Sequence, residues 1–205
     1  MIRLAITILT PVLLLFSSSV WGYGVGYSSF PLMQDRKLIS AEATGIFANG
    51  SGLGMQVRYT HKVNKRTILD AGVGVSGGDR SGRLFVGADY EIFPDYNQQP
   101  RFSLKLNMEN ALEFEARHNI ISLAPTLSKG FSFWGHEGFP FVSLPMGVNL
   151  KGENNTYKTV VSLAMGITGQ VPIEGYTQLT ANLEANINLR NNYSALFFGI
   201  SYPLE

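Results

Sequence analysis

The chain has 205 residues, with 16 Lys and Arg against 15 Asp and Glu, 22 glycines, 12% aromatic residues and no cysteine. That length holds one ordinary domain, and the balanced charge leaves no basic surplus for a nucleic-acid partner. The lack of cysteine excludes disulfides, a thiol nucleophile, a thiolate metal site and a lipid-modified cysteine anchor.

Residues 1–22 read as a secretory signal peptide. Met1-Ile2-Arg3 gives a short basic start, Leu4 to Phe16 is an almost continuous apolar run, and the small residues Ser17 to Ser19 lead to a cut after Gly22. The apolar run is short for a membrane-spanning helix. Cleavage removes Arg3 and leaves a mature chain with no formal net charge. Residues 23–37, Gly-rich and then carrying Pro31, read as an irregular lead-in to a domain over 38–205.

From residue 38 the hydrophobic period is two, the period of a strand. In the first segment, Leu38 to Asn49, Ala41, Ala43 and Phe47 oppose Ser40, Glu42 and Thr44, and the alternation is least regular there. In the next, Leu53, Met55, Val57, Tyr59, His61 and Val63 share a face, opposite Gly54, Gln56, Arg58, Thr60 and Lys62. Leu69, Ala71, Val73 and Val75 then oppose Asp70, Gly72, Gly74 and Ser76. Leu84, Val86, Ala88, Tyr90 and Ile92 oppose Arg83, Phe85, Gly87, Asp89 and Glu91. Phe102, Leu104, Leu106 and Met108 oppose Ser103, Lys105, Asn107 and Glu109.

The alternation continues to the end of the chain. Ile121, Leu123 and Leu127 oppose Ser122, Ala124, Thr126 and Ser128; Val142, Leu144, Met146 and Val148 oppose Ser143, Gly147 and Asn149. Tyr157, Val161, Leu163, Met165 and Ile167 oppose Lys158, Ser162, Gly166, Thr168 and Gln170. Leu179 through Leu189 and Leu196 through Tyr202 repeat it. Turn signals such as Asn49-Gly50, Asn64-Lys65-Arg66, Gly77-Gly78-Asp79, Pro94-Asp95, Gly152-Glu153-Asn154 and Asn191-Asn192 separate the runs. The expected fold is all-β: an antiparallel up-and-down transmembrane β-barrel of about ten strands, with eight or twelve also compatible, each roughly long enough to cross a bilayer at a tilt.

Alternation alone fits a soluble barrel as well; three features favour a membrane barrel, whose apolar face looks outward. Gly72, Gly74, Gly87, Gly147, Gly166 and Gly199 fall on the polar face, as a crowded lumen requires. That face also carries charges of both signs, so Arg58, Asp70, Arg83, Asp89, Lys105, Glu109 and Glu184 are the expected lumen-lining residues, able to pair across the interior. Aromatic residues gather near strand ends on the side of both termini: Phe93, Phe102, Phe131, Phe133, Trp134, Phe139, Phe141, Tyr176 and Tyr202. A rim of this kind is what a membrane interface selects.

With its signal peptide, its alternating strands and the terminal run Leu196-x-Phe198-x-Ile200-x-Tyr202, the whole chain resembles the small single-chain outer-membrane β-barrel proteins of Gram-negative bacteria. The resemblance implies an outer-membrane location, contact with outer-membrane lipid, and recognition of the C-terminal strand by the barrel assembly machinery. The family usually ends on the aromatic residue itself, whereas here Pro203-Leu204-Glu205 follows Tyr202.

Motifs for chemistry are few. Gly72 to Gly77 spells GxGxxG and Gly74 to Gly78 spells GxSxG, but each needs a helix directly after it, where a turn and another strand are expected. His61, His118 and His136 are scattered without metal-ligand spacing. His118, with Glu113 and Glu115 in an outward connection, is the one imaginable acid–base pair. No catalytic, cofactor or metal site is expected. The reading is a structural or narrow-pore barrel with a charge-paired lumen, since about ten strands enclose little more than their own side chains. A surface binding or adhesion barrel and an outer-membrane hydrolase with a rim site are the alternatives.

Overall fold

The computed structural model describes residues 30–47, 52–76, 80–113, 116–133, 135–151 and 156–204. The expected signal peptide lies outside the described residues. Among the described residues there is no helix, and twelve strands form one sheet. In chain order they are β1 (Lys37–Ile46), β2 (Gly52–Lys62), β3 (Thr67–Ser76), β4 (Arg80–Phe93), β5 (Arg101–Glu113), β6 (Ala116–Ser128), β7 (Phe131–Phe133), β8 (His136–Ser143), β9 (Met146–Lys151), β10 (Thr156–Gln170), β11 (Thr180–Arg190) and β12 (Ala195–Leu204).

Every neighbouring pair is antiparallel, and β12 closes onto β1 with Lys37 opposite Leu204 and Ile46 opposite Ala195. β8 and β9 act as one wall strand. Both pair with β6 on one side and β10 on the other, and they are separated by Leu144 and Pro145. Pro145 has no N–H to continue the ladder. Its carbonyl still accepts from Ser162 N at 3.0 Å, and Leu144 N reaches Pro125 O at 3.1 Å. The short β7 extends the β8 hairpin past the wall. The result is a closed ten-strand barrel with two extra strand pieces.

Both termini of the barrel lie at one end, here the terminal end, together with the connections 63–66, 94–100 and 171–179 and the β7–β8 hairpin. Ile46, Gly52, Ser76, Arg80, Glu113, Ala116, Lys151 and Thr156 stand at the far end, with the connection 191–194. Local chemistry makes the turns. Asn64 Oδ1 accepts from the backbone N–H groups of Arg66 and Thr67 at 2.9 Å each, and Asn191 adopts a positive φ of 48°. β5 runs to Glu113 and β6 starts at Ala116, so most of 111–118 is strand, and His118 sits in β6 rather than in a loop.

Side-chain direction fixes the class of barrel. Leu53, Met55, Val57, Leu69, Val73, Val75, Leu84, Val86, Leu106 and Met108 are exposed. So are Ile121, Leu123, Met165, Ile187, Leu196 and Ile200. Leu104 and Val161 are half-exposed and Leu183 is 51% exposed, so none of the three packs into a common interior. Ser40, Glu42, Thr44, Arg58, Asp70, Lys105, Asn107, Thr168, Asn182 and Ser201 are buried inside. Water cannot account for an outer wall this uniformly apolar around a polar interior; a hydrocarbon solvent does.

Glycine makes the tight wall possible. A Cβ on Gly72 would lie 2.4 Å from the Val57 carbonyl oxygen and 2.4 Å from Phe85 Cζ. One on Gly166 would lie 2.3 Å from the Leu183 carbonyl oxygen. At these lumen-facing points the neighbouring strand comes so close that no side chain fits.

Candidate functional site: the lumen

The interior divides into a charged half and a neutral half. On β1 to β5 a single network joins seven side chains. Arg58, 0% exposed, donates to Glu42 Oε1 at 2.6 Å and Oε2 at 3.0 Å, and to Asp70 Oδ2 at 2.8 Å. Lys105, 2% exposed, reaches the same Asp70 oxygen at 2.6 Å. Gln56 donates to Glu42 and accepts from Arg83 at 2.9 Å. Arg83 also pairs with Glu109 at 2.8 and 3.0 Å. The order is thus Glu109, Arg83, Gln56, Glu42, Arg58, Asp70, Lys105, and it crosses five strands.

Phe85 sits inside this network and is buried. The guanidinium carbons of Arg58 and Arg83 lie 5.1 and 5.0 Å from its ring centroid. A π face is a favourable neighbour for a desolvated guanidinium, so the ring attracts both charges.

A second cluster lies nearer the terminal end. Arg101 donates to Asp89 at 2.7 Å, to Glu91 at 2.8 Å and to Ser103 Oγ at 2.9 Å. Beyond it the opening is closed by the lead-in. Leu32 is buried against Leu38 and Ile68, with Phe30 packed alongside. The Phe30 ring meets Phe139 edge-on at 5.5 Å. Backbone bonds hold this strap to β2: Asp35 N to Lys62 O at 2.8 Å and Lys62 N to Arg36 O at 3.0 Å.

The other half of the lumen, on β6 to β12, carries small, neutral or apolar groups. Thr126 donates to Ser143 at 2.8 Å, and Thr168 to Asn182 at 2.8 Å. Phe141 packs on Ala164, and Phe197 is buried. Of the seven expected lumen residues Glu184 alone lies in this half, and it is 0% exposed.

All seven sequence-derived lumen residues, Arg58, Asp70, Arg83, Asp89, Lys105, Glu109 and Glu184, therefore lie inside the wall. The structure brings Arg58, Asp70, Arg83, Lys105 and Glu109 into one network, puts Asp89 with Arg101, and leaves Glu184 on the opposite wall. The sequence puts Glu42 on the polar face without marking it as a lumen charge, and it gives no sign of Arg101. Glu42 faces Gln56 in register, on the strand with the least regular alternation. Arg101 stands at the very start of β5, one residue before the alternation becomes visible.

The aromatic rim needs one correction. Tyr59, Tyr90, Phe93, Phe131, Tyr176 and Tyr202 are exposed near the terminal end, and Phe93 stacks with Phe102 at 6.4 Å. Phe139 and Phe141 instead fall on the inner strand face with Ser143, where Phe141 is buried and Phe139 meets Phe30. Trp134 and the Phe133 side chain lie outside the described residues. His118, half-buried, pairs through Nδ1 with the Asn149 side chain at 2.9 to 3.3 Å. The side chains of Glu113 and Glu115 lie outside the described residues. Gly72 to Ser76 lie within β3, so the glycine motif there lines a barrel rather than opening a helix.

These features define the class: a closed-sheet transmembrane β-barrel with a lipid-facing wall and buried, paired charges inside. No known protein family and no curated protein matches the chain. Among solved structures it is similar to a de novo designed transmembrane β-barrel, at 13% identity over 85% of this chain and 100% of that one, with a TM-score of 0.43. It is also similar to the KdgM porin, at 11% identity over 82% and 99%, with a TM-score of 0.36. A third is Ail, the attachment invasion locus protein of Yersinia pestis, solved with a heparin analogue: 6% identity over 84% and 100%, TM-score 0.31.

Proposed function

We propose that the chain is an outer-membrane β-barrel protein whose lumen is closed by its own ion pairs, so that it serves as a structural barrel, or at most a narrow pore, in the cell envelope. In this reading residues 1–22 direct export, and the C-terminal strand, Ala195–Leu204, is recognised by the barrel assembly machinery. The observation that carries it is the arrangement of the lumen charges. Arg58, Lys105, Asp70, Asp89 and Arg83 are all buried and engaged with one another or with nearby carboxylates. A conducting pore leaves its lining charges in water, whereas charges this dry remain only where they are paired. The Leu32 strap adds a second closure at the terminal end.

Planar-bilayer recording of the purified, folded protein tests the reading. Wild type gives no stepwise current, and the double variant Arg83→Ala, Glu109→Ala, which empties one side of the network, gives at most small steps. Regular ohmic steps from wild type, insensitive to these two residues, would overturn it.

A further inference from the structure

Gly138, Gly169 and Ala181 lie directly beside one another on three adjacent strands: Gly169 is the register partner of Gly138 on β8 and of Ala181 on β11. All three face outward, on the same strand faces as Ile167 and Leu183. Where three neighbouring outward positions carry almost no side chain, the wall is notched, and a groove of about 350 Å³ runs across it. Ile167, Leu183 and Phe198 form one bank, within the apolar belt. Phe131 and Pro172 form the other, at the terminal end, and the Phe131 ring stands 3.2 Å from where a Gly138 Cβ would be. His136, half-buried, closes the groove at the level of the exposed aromatic rim.

We infer that this groove is a binding site for a phospholipid, with one acyl chain laid over Gly138, Gly169 and Ala181 and the phosphate headgroup beside His136. The inference rests on the outer-membrane reading above. Three arguments select a lipid. The groove continues the lipid-facing wall, so hydrocarbon is the medium already against it. Its polarity is graded as an amphiphile's is, from Leu183 and Phe198 in the belt to His136, Glu137 and Gln170 at the headgroup level, a mixed set that suits a zwitterionic headgroup. A peptide strand has no place there, because β8, β10 and β11 are hydrogen-bonded on both edges. A trough one row of side chains wide is also too narrow for a helix, which needs about 10 Å. A second outer groove, over Ala41 and Ala43, lies where the outward side chains are all apolar, and it offers a headgroup nothing.

Ala181→Phe fills the trough with a ring that still faces hydrocarbon, so the barrel keeps its fold. Leu123→Phe adds the same ring to an outward site remote from the groove and serves as control. Membrane fractionation comes first: a protein absent from the outer membrane defeats the underlying reading rather than this one. For protein found there, native mass spectrometry from mild detergent with added phosphatidylethanolamine is the readout. Wild type and Leu123→Phe retain one lipid, and Ala181→Phe retains it about tenfold less, a loss of about 1.4 kcal/mol. Removal of the headgroup contact by His136→Ala weakens retention of the phospholipid but not of a simple fatty alcohol. Equal retention by wild type and Ala181→Phe, no retention by wild type, or a wild-type dimer that Ala181→Phe dissociates would each overturn the inference.

Discussion

Lys105 on β5 reaches past β4 to set its ammonium 2.6 Å from Asp70 Oδ2 on β3. The β4 residue beside Asp70 in register is Gly87, so no side chain stands in the way. The pair is thus a product of a charge, a carboxylate and the glycine between them. Asp70 Oδ2 also receives Arg58, which makes this oxygen the junction where Arg58 and Lys105 converge.

Lys105→Met keeps the volume and removes the charge, leaving Asp70 buried with one cation fewer. Breaking a buried pair from one side costs about 3 kcal/mol, because the remaining charge is desolvated without full compensation. Urea unfolding in detergent micelles, followed by far-UV circular dichroism, reads the lower midpoint. The double variant Lys105→Met, Asp70→Leu recovers only part of the loss, since Arg58 then keeps Glu42 but loses one of its two carboxylate partners. An unchanged midpoint in the single variant would show that the pair does not hold the barrel together.

Gly72→Ala gives a second, steric test. Its Cβ would fall 2.4 Å from the Phe85 ring and 2.4 Å from the Val57 carbonyl oxygen. The ring can turn aside, but the carbonyl belongs to the neighbouring strand and cannot. The variant is destabilised by about 1–3 kcal/mol, as overpacked sites are. Adding Phe85→Leu restores only part of that loss, which the same unfolding experiment measures. Full restoration would place the whole clash on the ring.

The architecture was legible because a wall only one residue thick writes its two solvents into alternate positions. The run Met55, Val57, Tyr59 against Gln56, Arg58, Thr60 needs no tertiary information to be sorted. Which charges meet is another matter. Lys105 finds Asp70 through a diagonal set by strand stagger and by Gly87, and no single strand's sequence carries that stagger. Glu42 was obscured by alanines on its own strand, whose apolar face is too weak to mark the period. Phe141 shows the opposite failure, whereas Phe85 sorts correctly with Arg83 and Asp89. Both are apolar residues on the polar face, and each faces a glycine across the ladder, Gly72 and Gly166 respectively. An aromatic opposite a glycine on the inner face is therefore a signal that could have identified Phe141.

Asp95 ties two terminal-end segments together. Its carboxylate receives Gly130 N at 2.7 Å and the Lys129 ammonium, which also bonds Asn97 O at 2.6 Å. Burial pushes the carboxyl up, but the hydrogen bonds from Lys129 and Gly130 and the Lys129 charge outweigh it, and its pKa is lowered. A carboxylate with a lowered folded-state value adds stability above its unfolded pKa, about 3.9, and loses it as pH falls through the folded value. Lys129 is substantially exposed, so the contribution is under about 1 kcal/mol. Asp95→Asn therefore has a slightly lower unfolding midpoint than wild type at pH 6, and the two converge below pH values of about 3. A gap that persists at low pH would assign the contact to geometry rather than charge.

Leu183→Arg separates a lipid-facing wall from a watery one. Leu183 is 51% exposed, so in an aqueous setting the replacement leaves packing intact and shifts stability by no more than about 0.5 kcal/mol. Against hydrocarbon, near the middle of a transmembrane wall, an arginine costs about 2–4 kcal/mol, and less toward either rim. Tyr176→Arg, at the exposed terminal end, supplies the shallow reference. Folding each variant into phospholipid vesicles and titrating with urea gives the two costs side by side. A clear penalty at Leu183 with almost none at Tyr176 is the depth profile of a bilayer. Equal, negligible penalties at both would mean that water, not lipid, covers the apolar face, and a polar-cored barrel with so greasy an exterior would then have to bury that face against protein.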